Sequence, residues 1–259
     1  MYVDAHIHLY DEEFDEDREE VLQNALNNDV ELILSVSEDY ESSIKNLDIL
    51  RIYRPRYKIY LGLGIHPYTT IYNPGDLTKM VELISQYHDT IISIGEVGLD
   101  RKYSDADKYW DRQVEAFEKM IQLSIEYFKP LNIHSRRAAK DVLTLLRKYD
   151  VRLAYFHWYT DDIETLKEIV DEGYYVGFTP ALLTSKRIQK YTDVVPLTQV
   201  FTESDGPVRY YGPLNKSRGE PKHIPLIINK IAELYEEDVE EVTIVIRENF
   251  KRLFRLQYG

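Results

Sequence analysis

The chain has 259 residues, no cysteine, and 45 acidic against 32 basic residues, a net charge of −13. Without cysteine, disulfides, zinc–thiolate sites and thiol nucleophiles are excluded. The acidity argues against a broad, sequence-independent grip on nucleic acid, which needs a basic face, but not against a nucleic-acid enzyme whose bound cations neutralise phosphate locally.

Taken from the N-terminus, a strand is predicted over 2–8 and an amphipathic helix over 15–28. Strands over 31–37 and 58–66 precede a helix over 75–88. A strand over 90–97 leads to a long helix over 107–127, where Val114, Phe117, Ile121, Ser124 and Ile125 recur on one face. Strand 130–135, helix 138–149, strand 152–158 and helix 161–172 continue the alternation. Strand 174–179, a short helix over 185–192 and strand 199–204 complete it, and helices over 224–235 and 238–256 close the chain.

Strands alternating with helices imply parallel pairing through crossovers. Eight such units fit an α/β fold of the TIM-type (β/α)8 barrel class with extra C-terminal helices; an open doubly wound sheet is the alternative. The chemistry-bearing residues favour the barrel, because they cluster at C-terminal strand ends, which a barrel brings together and an open sheet spreads along a line. One domain over 1–259 is expected, since α/β barrels reach this length as single units. No repeat or linker interrupts it, and the Gly- and Pro-containing stretch 210–222 reads as a long functional loop. The N-terminus lacks a basic n-region, and no apolar run approaches the ~20 residues of a membrane span, so a cytoplasmic location and no membrane partner are expected.

The most informative motif is His6-Ile7-His8, two imidazoles on one side of the first strand. Alone it describes half-buried histidines as well as ligands. Glu96 ends the fourth strand, His134 the fifth and His157 the sixth, while Asp205 follows the eighth. Each has an ordinary reading too: a turn acid for Glu96, a core histidine for His134, packing beneath Phe156 and Trp158 for His157, a turn before Gly206-Pro207 for Asp205. Together with His66, five of the seven histidines fall at predicted strand ends, which coincidence explains poorly. Imidazole and carboxylate ligands in this arrangement suit one or two divalent ions (Mg, Mn or Zn) in a hydrolytic site. Basic residues group as Arg136, Arg137 and Lys140, as Lys186, Arg187 and Lys190, and as Lys216, Arg218 and Lys222, each equally consistent with a solvated face. The 22 tyrosines mostly fill half-buried surface; near the site loops, Trp158 and Tyr210 are candidates for stacking on a base.

These segments carry a resemblance. Asp4-Ala5-His6-Ile7-His8, Gly64-Ile65-His66-Pro67, Gly95-Glu96-Val97-Gly98-Leu99-Asp100, Asn132-Ile133-His134-Ser135-Arg136, Phe156-His157, Glu203-Ser204-Asp205-Gly206-Pro207 and Arg218-Gly219-Glu220-Pro221 occur in the order seen in the TatD family of metal-dependent deoxyribonucleases, barrels related to the amidohydrolases. The resemblance covers nearly the whole chain. It implies that His6, His8, Glu96 and Asp205 hold one metal, and that Glu96 bridges to a second held by His134 and His157. It also implies that Asp205 orients or deprotonates the attacking water, that His66 reaches substrate phosphate, and that Glu203 orients a ligand from behind. Arg136 and Arg218 suit bidentate phosphate contacts. Trp158-Tyr159-Thr160, Arg101-Lys102-Tyr103 and the absence of an Asn before Glu220-Pro221 depart from the family pattern, all in substrate loops.

The implied activity is hydrolysis of phosphodiester bonds in DNA, on single strands or ends, with catalysis resting on Asp205 and Glu96 and with no stable protein partner. Two alternatives stay open. An amidohydrolase-like enzyme acting on a small ester, lactone or amide is the first, although no lysine sits at a predicted strand end to serve as a carbamylated bridge. A binding module with an inherited metal site is the second.

Overall fold

Each apolar run is buried on both faces, the pattern of a strand inside a parallel sheet covered by helices. A computed structural model describes residues 1–256. In it β1 (Tyr2–Ile7), β2 (Val30–Val36), β3 (Lys58–Leu63), β4 (Ser93–Gly98), β5 (Leu131–His134), β6 (Ala154–Phe156), β7 (Tyr175–Phe178) and β8 (Val200–Thr202) pair in parallel, in chain order, as one sheet. The crossovers carry α1 (Arg18–Asn27), α2 (Tyr40–Tyr53), α3 (Pro67–Tyr72), α4 (Asp76–Tyr87), α5 (Trp110–Tyr127), α6 (Ala139–Lys148), α7 (Ile163–Asp171) and α8 (Lys186–Gln189). After β8 come α9 (Ile224–Tyr235) and α10 (Val239–Phe254).

The seam between the last and first strands brings the barrel to near closure. Thr202 Oγ1 donates to the Val3 carbonyl at 2.7 Å and the Ser204 N–H to Asp4 Oδ1 at 2.9 Å. One step further, the Asp205 N–H donates to the His6 carbonyl at 2.9 Å. The fold is the TIM-type (β/α)8 barrel.

Strand alternation sorts the core into two layers. Ile33, Leu61, Leu63, Ile133, Phe156, Val176 and Phe178 belong to the cluster shared with the surrounding helices. Residues of opposite parity, among them Leu32, Leu34, Val36, Tyr155, Tyr175 and Phe201, form a second cluster with Phe250, Leu253 and Phe254 of α10. The C-terminal helix thus packs its aromatic end against the barrel's inner residues, with Phe201 and Phe250 6.1 Å apart edge to face. That leaves the opposite, C-terminal mouth for polar chemistry.

Two helices lie where none is predicted. α2 escapes hydrophobic periodicity because its buried face is polar: Ser43 Oγ pairs with Ser37 Oγ at 2.8 Å, and Asn46 meets Ser35 Oγ and the Val36 carbonyl. Its start is legible as a capping box, Asp39 with Ser42. α3 is a short helix begun by Pro67 and capped by the His66 ring. Strands three and six end sooner than expected, so His66 and His157 sit just beyond them. Among the described residues, no helix is long and apolar enough to cross a membrane.

Gly98 permits the tightest approach under the site. Its φ is +141°, and a Cβ there would meet the His134 carbonyl oxygen. Gly98→Ala should therefore destabilise by about 2 kcal/mol, a Tm fall of roughly 4–8 °C by calorimetry. An unchanged Tm would contradict this packing.

Candidate metal centre

Every strand but β7 delivers a chemical group at or just beyond its C-terminal end, to the wall of a cavity of about 560 Å³. His8, Glu38, His66, Glu96, His134, His157 and Asp205 line it, with Lys102, Tyr103, Arg136, Arg137, Trp158 and Arg187 toward the mouth. The six residues expected to ligate converge there, all but His134 essentially buried.

Four donor atoms gather around one point. His6 Nε2 lies 3.3 Å from His8 Nε2, 3.5 Å from Glu96 Oε2 and 3.5 Å from Asp205 Oδ1. His8 Nε2 lies 3.6 Å from Glu96 Oε2 and 3.4 Å from Asp205 Oδ1. Four ligands bound tetrahedrally at about 2.1 Å would sit about 3.4 Å from one another. The other oxygen of Glu96 faces a second set: Oε1 is 2.9 Å from His134 Nδ1, 2.9 Å from His157 Nε2 and 3.5 Å from His66 Nε2.

For His6, His134 and His66, hydrogen bonds from behind set which nitrogen faces the cavity with a lone pair or a proton. Asn132, whose amide nitrogen bonds the Ala5 carbonyl, turns Oδ1 to His6 Nδ1 at 2.9 Å, so His6 carries its proton there and presents a bare Nε2. Asp100 Oδ2 stands 2.7 Å from His134 Nε2, leaving Nδ1 for the site. The same oxygen accepts from Arg136 Nε at 2.7 Å, and Oδ1 from the Lys102 N–H at 2.5 Å. Glu203 Oε1 accepts the Trp158 N–H at 2.7 Å and stands 3.7 Å from His157 Nδ1. His66 differs. By spacing it groups with Glu96 and His134 as a metal holder. Its Nδ1, however, accepts the Tyr68 N–H at 3.1 Å, which places the ring proton on Nε2 and makes it a donor toward the cavity. Two imidazole nitrogens opposed at 3.3 Å beside two carboxylates form a donor set that one cation between them would satisfy, so the residues fit the divalent metal that the motifs imply.

Electrostatics agree. Burial alone would lower the His8 pKa, but Glu38, Asp205 and Glu96 push it up to about 10. His134, partly buried, is likewise raised to about 9 against burial by Asp100 and Glu96. Burial opposes ionisation of Glu96 too, yet the surrounding imidazoles, His157 and His66 foremost, hold it well below the usual carboxylate range. Asp100 is held near 2 against burial, chiefly by His134.

Two expected substrate groups lie elsewhere. Arg218 is spent inside the protein: Nε donates to Glu220 Oε1 at 2.9 Å, the terminal nitrogens bond Asp17 and the Glu13 carbonyl, and the guanidinium covers Phe14. It pins the 210–222 loop to the start of the chain and is absent from the cavity wall. Tyr210 is 4% exposed and packs behind Trp158, ring centroids 5.8 Å apart, so its face is unavailable for stacking. Arg136 and Trp158 do line the cavity. Asp100 and Glu38 carry no role in the sequence reading, although each lies two residues past a strand end, a signal akin to the one that singles out Asp205.

A family model described as TatD related DNase matches residues 3–255. An uncharacterized metal-dependent hydrolase of Methanocaldococcus jannaschii is 33% identical, covering 98% of this chain and 97% of its own. The human deoxyribonuclease TATDN3 is 29% identical over 97% of this chain and 94% of its own. Among solved structures, YJJV, a TatD homologue of Escherichia coli K12, superposes with a TM-score of 0.88 at 21% identity, covering 99% and 98% of the two chains.

Metal must displace the protons that His8 and His134 keep up to about 10 and 9. Affinity should therefore climb with pH through that range instead of levelling above about 6.5, the ordinary histidine value. Calorimetric Mn titration at neutral pH, in buffers of different ionisation enthalpy, should show proton release. Affinity flat from pH 6 to 9 would refute this.

Proposed function

Since the chain belongs to the TatD-related DNase family of metal-dependent hydrolases, we propose that it hydrolyses phosphodiester bonds in DNA, on single strands or near ends. One observation carries the reading. In a chain of net charge −13, Lys102, Arg136, Arg137 and Arg187 converge on the mouth of a cavity floored by carboxylates and imidazoles. A neutral lactone or amide gains little from such a rim; a phosphodiester is steered and held by it. The acidic remainder of the surface confines the phosphate contacts to this pocket and its rim.

In this reading His6, His8, Glu96 and Asp205 would hold one ion, and Glu96, His134 and His157 would hold another. The imidazole-rich set favours a zinc-class ion over magnesium, which prefers oxygen. Bound there, the metal acidifies a water molecule and screens the charge of the phosphate. Asp205, at the cavity wall, takes the proton of the attacking water. His66 donates its Nε2–H to a phosphate oxygen, its ring held by the Tyr68 N–H. Arg136 is oriented through Nε by Asp100 and offers its remaining N–H groups to the same phosphate. Asp100 fixes the ring of His134, so that this residue does not reorganise when substrate arrives, and Glu203 stands 3.7 Å behind His157. Trp158 on the rim offers a face to a base.

Asp205→Asn should lower cleavage of a labelled single-stranded oligonucleotide by about 10²–10⁴-fold, as removal of a general base does. Undiminished turnover would remove the assignment. Elemental analysis of the purified protein should find zinc in excess of magnesium, and the reverse ratio would overturn the metal preference.

A further inference from the structure

We propose that Tyr103, Tyr68 and Tyr72 form a stacking track that receives unpaired bases of single-stranded DNA on the His66 side of the scissile phosphate. The proposal rests on the phosphodiesterase reading of the cavity and names where the strand lies beyond it.

The track begins inside the pocket. Tyr103 lines the cavity and stands edge-on to His66, ring centroids 6.2 Å apart at 84°, with the Arg136 guanidinium 4.8 Å from its ring centre. Tyr68 follows at 5.4 Å from Tyr103, and Tyr72 at 4.7 Å from Tyr68. The local sequence explains why these two rings stand outward. In α3 the residues Thr69, Thr70 and Ile71 turn to the core, whereas Tyr68 and Tyr72, four apart, share the solvent face. They remain 49% and 40% exposed. Single exposed aromatics need no explanation, but three rings in line, continuous with a catalytic cavity, do.

The occupant follows from the chemistry at each end. At the inner end Lys102 and Arg136 supply positive charge beside the first ring, matching a phosphate backbone that carries bases past it. Only unpaired bases present free faces, and base–aromatic stacking tolerates any sequence. Ring spacings of 4.7 and 5.4 Å leave no gap for a sandwiched base, which needs about 7 Å, so bases lie against the outer faces of the rings. At the outer end Tyr72 Oη stands 3.4 Å from Asp105 Oδ2. That carboxylate repels the next phosphate and limits the track to about two nucleotides. The stacking surface is thus on the α3 side of the mouth, across from Tyr210.

The test is binding, read by fluorescence anisotropy with Mn-loaded protein and a labelled single-stranded oligonucleotide whose phosphorothioate linkages resist cleavage. Tyr68→Ala/Tyr72→Ala should raise Kd about tenfold or more, within the range for lost base stacking. Tyr68→Phe/Tyr72→Phe, which keeps the ring faces, should stay near wild type. An oligonucleotide with abasic spacers should bind wild type weakly and show no further loss in the Ala variant. Equal Kd for wild type and the Ala variant on the normal strand overturns the track, as does a Phe variant that loses as much as Ala. Stacking-dependent binding without cleavage of the unmodified strand would leave the track standing and sink the phosphodiesterase reading instead.

Discussion

The Glu96 carboxylate is divided between two sets of imidazoles, and the rest of the site is arranged around that division. Oε2 faces the Nε2 atoms of His6 and His8, while Oε1 faces His134 and His157. A carboxylate holds its two oxygens on one carbon and has no freedom to serve distant groups. Every ligand must therefore be brought to it. A parallel barrel does this without long loops, because eight strand ends already surround one axis and side chains from strands one, four, five, six and eight meet across its mouth.

Orientation is secured by groups that never enter the cavity. Asn132 on β5 sets the ring of His6 on β1, Asp100 beyond β4 sets His134, and Glu203 beyond β8 stands behind His157 and holds the next peptide. Each link crosses between strands, so sheet register is translated directly into ring orientation. Charge is graded along the same axis. Carboxylates and imidazoles make the floor, guanidinium and ammonium groups the rim, and a phosphodiester with its negative oxygens outward and its metal-facing oxygens inward matches that gradient.

Much of this was legible in the sequence. Alternating strand and helix patterns expressed the barrel, and acids or histidines at strand ends marked the residues that converge on the cavity, because burial on both faces leaves the C-terminal tips as the natural place for such groups. What stayed hidden depended on partners remote in the chain. α2 buries serines and an asparagine against Ser35 and Ser37, so its periodicity is polar and invisible to a hydrophobic reading. Arg218 resembles a phosphate clamp until Asp17, Glu220 and the Glu13 carbonyl are seen to occupy it. Tyr210 looks available until Trp158 is found over it, whereas Tyr68 and Tyr72 sit in a helix the pattern did not reveal. Residue type indicates which chemistry is possible; only spatial pairing shows which groups remain free to perform it.

The seam between β8 and β1 sets when, in the life of the molecule, this centre can exist. Asp205 reaches His6 through the bond from its own amide to the His6 carbonyl, and the two belong to opposite ends of the barrel-forming chain. A polypeptide still emerging from the ribosome displays His6 and His8 early, yet lacks the carboxylate opposite them until more than three quarters of its length has been made. Contacts of such large sequence separation form late, because loop closure is costly before the intervening strands are placed. Only a chain whose last strand has joined its first can present all four donors, His6, His8, Glu96 and Asp205, around one point.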